Sequence, residues 1–531
     1  MRPTSITPIP PGPYILPPSS GDTRGVDYLG LRQVNLALTA ACFPGINNVA
    51  RFVRPFSVLA WIHWKFHQQA RAENWTKASE RQLRKFQEKV EVLFTWGHQL
   101  KPPKAVSIPG SDAKIPPADA QGYIDLSFGT WKRIARNTSL QAPVQYGPAM
   151  KIGSGLGFLN AQGSGLHRCF PAGFALAQAL DARLADTTAY DLVCSLDQTT
   201  GRAADAEALL SAWHAAKPSD AEAEIFKSAF YQPGALGTSG VLGQRSTMIA
   251  AILTVLGTAK APIAEEQIRR SLVWQHLPDG RPVPFSPACA VPAARWKILQ
   301  IRQVQRIALE AILQWFEHTL QAEPSLPKIR EQLAAAFTDD KRSDGGAISC
   351  AEAMARFAHG IGSEADYRAR CAVGHDDDLL AQGLVLYKTT KVSGTKLVAA
   401  AWLLVGIARW TNWIAEDAEQ RADLRRGDVD RISLWHLQEC LHRAAGKTLV
   451  AWIQDVLDRW IIGQHLRVAT LRSDGGAQRL RFGLGEEGLE FYANRPSKPV
   501  LTQDHLAAAL SLMDNCGLIA RDPASATFTL L

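Results

Sequence analysis

Residues 296–320 read WKILQIRQVQRIALEAILQWFEHTL, and the way this stretch folds sets the class of the whole chain. Ile298, Ile301, Ala308, Ile312, Trp315 and Leu320 fall near one stripe of a 3.6-residue repeat, the pattern of a helix with one buried face. The flanking sequence follows the same grammar. Ala-rich segments at 203–216, 245–258, 350–359 and 396–415 also carry helical periodicity, so residues 186–428 read as a helical domain. The most apolar run, LVAAAWLLVGIA at 397–408, stops at Arg409. A bilayer crossing needs about 20 such residues, so the run predicts a buried helix and no membrane partner is expected.

Toward the N-terminus the pattern changes twice. Residues 1–25 are broken by prolines, lack an apolar secretory core and read as an extended, disordered arm. Residues 26–120 form a basic, aromatic-rich helical domain: LGLRQVNLALTAACF is a helix stopped by Pro44-Gly45, and Val53–Gln69 and Lys77–Leu100 are two more. A proline-bearing loop, KPPKAVSIPGSDAKIPPADA, follows at 101–120. Residues 121–185 hold a short helix around 128–136, a Gly-rich passage and the helix FPAGFALAQALDARL, and read as a winged-helix-like module.

Residues 429–531 read as a second winged-helix-like domain. RISLWHLQECLHRA and TLVAWIQDVLDRWIIGQHL are helices, and HLRVATLRSDGGAQRLRFGLG is a hairpin turned by Asp474-Gly475-Gly476. LTQDHLAAALSLMDNCGLI is a helix, and IARDPASATFTLL a terminal strand or hairpin. The expected fold is therefore mainly α and multidomain, because 531 residues exceed what one core supports. Eight cysteines with no CxxC pair fit neither a disulfide framework nor a zinc site; buried thiols in a cytoplasmic protein are expected.

The net charge of +8 is small for this size, so its distribution matters more than its value. Residues 51–104 carry eleven Lys or Arg against four Glu, whereas 431–531 are nearly balanced. Arg51, Arg54, Lys65, Arg71, Arg81, Arg84, Lys85 and Lys89 are the candidate nucleic-acid-binding residues, since phosphate neutralisation supplies the sequence-independent part of such affinity. Phe52, Phe56, Trp61, Trp64, Phe66 and Trp75 interleave with them. Aromatic faces can stack on unpaired bases, but this spacing fits the core of a helical domain better.

Other motifs point away from catalysis. IGSGLG at 152–157 spaces its glycines as GxGxG without a following GK[ST], and reads as a turn rather than a phosphate cradle. His375-Asp376-Asp377-Asp378 offers metal-ligating types, yet adjacent residues on one element do not converge on one ion, so helix capping is expected. His63, Lys65 and His67 complete no known signature: Ala70 stands where a phospholipase D-type motif needs Asp, and Trp64 replaces the Glu of HExxH. No GxSxG, Walker A or kinase set occurs, and neither a metal nor a cofactor is expected.

Asp27-Tyr28-Leu29-Gly30-Leu31, then Phe43-Pro44-Gly45, then Arg51, Arg54, Phe56 and Trp61, together resemble a loose group of uncharacterised bacterial proteins found among anti-phage defence genes. VQRIALEAILQWFE and LTQDHLAAALSLMDNCGLI are similar to later segments of that group, and Pro55 departs from it where an aromatic is common. The resemblance implies a defence context and no catalytic residues. The expected function is a non-catalytic DNA-binding or scaffold subunit of a multi-protein system, with DNA and other subunits as partners. The alternatives are a metal-dependent nuclease or other effector with dispersed acidic residues, for which Asp376, Asp377 and Asp378 are candidates, and an assembly protein that touches no nucleic acid.

Overall fold

The computed structural model describes residues 27–73, 79–101, 108–161, 166–415, 417–472, 480–486 and 488–531; the proposed N-terminal arm lies outside them. The protein is mainly α-helical and divides into two compact units. The first comprises the chain to Asn35, Gln300–Tyr367 and Asp376–Thr502; the second comprises Leu36–Leu299, Arg368–His375 and Gln503–Leu531. These boundaries do not fall at 120, 185 or 428, because the units interleave along the chain.

The opening stretch lies in the helix Pro287–Leu320, longer than its periodicity alone marks. Its dry stripe is where the spacing puts it, but the opposite side is not wet. From Gln300 onward, within the first unit, Arg302, Gln303, Gln305, Arg306, Glu310, Gln314 and Glu317 are all buried. Buried polar groups must find partners, and these do so among distant main-chain groups. Arg302 donates to the carbonyls of Arg431 and Ile432, and Gln303 exchanges two hydrogen bonds with the backbone of Thr502. Arg306 pairs with Glu310 at 2.7 Å, and Glu310 accepts from the Val500 amide at 2.7 Å. Glu317 pairs with Arg481 and accepts from the Ser497 amide.

Also in the first unit, Gly394–Ile414 is a central apolar helix that packs on Leu326–Ala336, Cys350–Arg356, Leu379–Lys388 and Leu434–Arg443. It and Val241–Ala259 of the second unit are long and apolar enough by composition to cross a membrane, and their apolar windows are 78% and 56% buried within the protein. Gly406 lets Phe357 sit against the central helix, since a Cβ there would lie 2.4 Å from that ring. The first part of the hairpin expected at 465–485 is instead helical, Gln464–Leu471, and buries His465, Val468 and Ala469 at helical spacing. Asp474-Gly475-Gly476 lies outside the described residues, and the hairpin present pairs Phe482–Gly485 with Gly488–Phe491.

In the second unit, Arg54–Ala72, Glu80–Leu100, Pro171–Leu184, Ala203–Trp213 and Asp220–Phe230 pack around a core that includes Phe56, Trp61, Phe94, Trp213 and Phe226. Local signals set their starts: Ser79 with Gln82 and Ser219 with Glu222 each form a reciprocal capping box. Residues 121–185 contain two four-residue helices, Ala135–Thr138 and Gly147–Met150, and a short pairing of Leu159–Ala161 with His167–Cys169. A separate three-stranded antiparallel sheet has Thr527–Leu530 in its centre, flanked by Ile263–Ala264 and Ile519–Asp522. The helices Val241–Ala259, Glu265–Trp274 and Leu506–Asn515 adjoin it.

Each unit holds a histidine whose hydrogen bonds require a neutral ring. His98 Nε2 accepts from the Ala215 amide at 2.9 Å while Nδ1 faces the Phe94 carbonyl at 2.7 Å. His465 Nε2 accepts from the Arg481 amide at 3.1 Å while Nδ1 faces the Tyr28 carbonyl at 3.2 Å. Burial pushes both imidazoles down to about 4 from 6.5. The unfolded chain therefore binds more protons between these values, and the stability contributed above pH 6.5 is lost as pH falls through 4. A His98→Gln, His465→Gln double variant is expected to have a flatter profile of Tm against pH in that window. A slope as steep as that of the unsubstituted protein would remove the assignment.

Candidate functional site

The basic, aromatic stretch sorts into struts and free cations once its helices are placed. Along Arg54–Ala72, Phe56, Trp61 and Phe66 are fully buried, so they offer no face for stacking. Arg54 is buried as well. Its guanidinium pairs with Glu222 at 2.9 Å and donates to the carbonyls of Ala212 and Lys217. Glu222 is also the capping residue of Asp220–Phe230, so Arg54 secures a helix start. Burial lowers the Arg54 pKa and Glu222 opposes that; a guanidinium stays charged throughout.

Lys65 and Lys89 face inward too. Lys65 Nζ lies 2.7 Å from the Tyr190 hydroxyl and 3.3 Å from Asp181, which also accepts from Trp61 Nε1 at 2.8 Å. Lys89 donates to the carbonyls of Leu192 and Ser195, and burial, only partly opposed by Cys194 and Asp197, pushes its ammonium down to about 7. None of Arg54, Lys65 and Lys89 presents its charge to an incoming phosphate. Their place in a basic run is explained by internal carbonyls and carboxylates far away in the chain.

Arg51, Arg71, Arg81, Arg84 and Lys85 remain exposed. Arg71 stands in the last turn of Arg54–Ala72, and Arg81, Arg84 and Lys85 in the first two turns of Glu80–Leu100. The two helices are consecutive and packed together, so the end of one and the start of the next lie at the same end of the pair. Neither Arg71 nor Arg81, Arg84 or Lys85 has an ion pair or hydrogen bond among the described residues. Three cations near a helix N-terminus oppose the macrodipole, where acidic residues would be stabilising, so helix stability does not account for them.

The structure adds residues that the sequence pattern does not single out. Arg71 and Arg168 both act on His67 strongly enough to help lower its pKa, after burial, so the two guanidiniums flank one imidazole. Arg168 is exposed on the strand His167–Cys169, and Lys151 acts on His167 in the same way. Phe170 and Phe174 are each 43% exposed at the start of Pro171–Leu184, with Phe174 edge-on to Trp64 at 6.1 Å. Phe52 and Trp64 are half-buried, and Trp75 lies outside the described residues. The one local signal for Phe170 is its position before Pro171, which opens the helix and leaves the preceding side chain outside it.

The remaining motifs take structural roles. Gly155 of the Gly-rich run packs on Gly45 of the Pro-Gly turn, where a Cβ would meet its backbone at 2.9 Å. Buried Arg245 donates to Pro44 O at 2.9 Å and Gly155 O at 3.3 Å, so the two turns are held together. Asp378 caps Leu379–Lys388 by accepting from the Leu380 and Ala381 amides, and Asp377 pairs with Arg342 at 2.8 Å. Among the described residues no group of three or more His, Cys, Asp or Glu side chains is arranged to hold a metal ion. No protein-family model, curated protein or solved structure matches the chain.

Removing one partner of a buried pair leaves the other charge uncompensated, which costs about 3–5 kcal/mol. Glu222→Ala is therefore expected to lower the unfolding free energy in urea by that order, while Arg84→Glu with Lys85→Glu leaves it nearly unchanged. Equal effects of the two changes in equilibrium unfolding would remove the division between strut and surface.

Proposed function

We propose that the chain is a non-catalytic nucleic-acid-binding subunit that holds the DNA backbone along the exposed end of Arg54–Ala72 and Glu80–Leu100. The observation that carries this reading is the group Arg71, Arg81, Arg84 and Lys85, exposed and without internal partners among the described residues. Arg51 and Arg168 extend it, and Phe170 and Phe174 supply apolar faces for unpaired bases. Such contacts read charge and shape rather than sequence. The multi-protein, anti-phage setting rests on the resemblance of Asp27–Leu31 and of Phe43–Trp61. All eight cysteines are free, which suits a cytoplasmic location.

We read the three-stranded sheet and its helices as a winged helix interrupted in sequence. In chain order its parts are Val241–Ala259, Ile263–Ala264, Glu265–Trp274, Leu506–Asn515, Ile519–Asp522 and Thr527–Leu530, with the last strand central. That order supports the winged-helix reading better than a continuous module at 429–531. Its third helix, the one that enters a groove in DNA-reading members of the class, has Leu506, Ala508, Ala509, Leu510, Leu512 and Met513 buried. The unit is thus assigned a packing role, and DNA contact is assigned to the basic helices instead.

Arg81→Glu, Arg84→Glu and Lys85→Glu together are expected to weaken binding of a duplex at low salt. The slope of log K against log salt should fall by about 0.9 for each phosphate contact removed. Fluorescence anisotropy over a salt series reads both quantities, and unchanged affinity and slope would defeat the proposal.

A further inference from the structure

A second site, unrelated to the basic helices, lies within the first unit. Leu434–Arg443 is followed after a short turn by Leu449–Val456, a π-helical segment Leu457–Gly463 and Gln464–Leu471. The facing sides of this hairpin are parted by a cleft of about 500 Å³, within the usual range for a small organic ligand. His436, Cys440 and Arg443 line one wall at helical spacing, and Trp452, Arg459, Trp460 and Arg467 line the other. The inner seam of a helical hairpin is ordinarily apolar; here it carries four cations, including Lys447 at the turn.

Two of those cations are already neutralised. Lys447 pairs with Asp455 at 2.7 Å and Arg467 with Asp430 at 2.6 Å. Arg443 reaches only the Cys440 sulfur at 3.2 Å and the Glu439 carbonyl at 3.4 Å, and Arg459 has no ion pair or hydrogen bond among the described residues. Both guanidiniums line the same cleft and act on the Cys440 thiol, where the Glu439 carboxylate acts in the opposite sense. The π-helical segment interrupts the regular ladder beside them, a feature frequent at functional sites and unfavourable without a use. Behind the charges lie Val456, Trp452 and Trp460, the last in ring contact with His436 at 5.7 Å.

The neighbouring thiol does not make the cleft a nucleophilic site. Cys440 Sγ lies 3.5 Å from His436 Nε2, but burial raises the thiol and lowers the imidazole, which leaves the pair neutral. Binding is the chemistry the arrangement offers. We propose that this cleft holds a nucleotide-sized organic phosphate, with its phosphate between Arg443 and Arg459 and its organic part filling the remainder of the cleft beside Trp460. Paired guanidinium forks suit phosphate oxygens, and an inorganic ion would fill only part of a cleft of about 500 Å³.

Cys440 provides the readout, because it and Cys169 are the two thiols that are not buried. The full chain is labelled with N-ethylmaleimide in the presence of ATP, inorganic pyrophosphate or sodium sulfate at matched ionic strength, and the modified peptides are quantified by mass spectrometry. ATP is expected to slow labelling at Cys440 several-fold and leave Cys169 unchanged. Arg443→Gln with Arg459→Gln should remove the protection and weaken ATP binding in calorimetry by about tenfold or more, as loss of charge-assisted forks implies, at an unchanged Tm. No protection by ATP, equal protection by pyrophosphate or sulfate, protection only by a short oligonucleotide, or undiminished binding by the double variant would each overturn the proposal.

Discussion

The polar side of the helix from Gln300 to Leu320 is buried, and the organisation of the first unit follows from how its charges are paired. A desolvated guanidinium or carboxylate costs several kcal/mol unless hydrogen bonds replace its water, roughly the whole net stability of a domain. Arg302, Arg306, Glu310 and Glu317 meet that demand with backbone groups at 431–432, 497 and 500, with the Thr502 hydroxyl and with Arg481. The segment 495–502, poor in regular structure, is held along the helix by these bonds. An apolar helix face would have accepted many coverings; a face of specific donors and acceptors accepts one.

The same device recurs in the second unit. Arg54 with Glu222, and Arg133 with Glu91, are pairs whose side chains are wholly buried, and Arg245 joins two glycine turns through their carbonyls. Gly45 at φ +79° permits the turn to approach that closely. Several arginines in this chain are therefore structural cross-links rather than surface charges. Charge counts along the sequence overestimate the charge available to a ligand, which is why Arg54, Lys65 and Lys89 leave the candidate interface while Arg168 enters it.

The exposed basic helix ends and the cleft of Arg443 and Arg459 share one physical property: cations without internal counter-charges. Elsewhere exposed arginines tend to be engaged, as Arg281 is with Asp279 and Arg356 with Asp344. Electrostatic attraction acts in both places, but their shapes differ. The helix ends form an open surface, whereas the cleft is a partly enclosed volume of about 500 Å³.

Helices were legible from local sequence because 3.6-residue periodicity and capping are local. The Pro44-Gly45 stop and the apolar run at 397–408 are examples, and Asp378 as a cap follows from the same chemistry. The pairing of Ile263–Ala264 with Thr527–Leu530 was not legible, since two-residue strands have no periodicity and their partners are far apart in the chain. Nor were the exposed Phe170 and Phe174, or the cleft, whose walls read as two ordinary amphipathic helices. By itself the sequence determined the mainly helical class and the place of most helices. Tertiary structure alone decided which charges are struts and which are free, because desolvation depends on what the rest of the chain brings against each side chain.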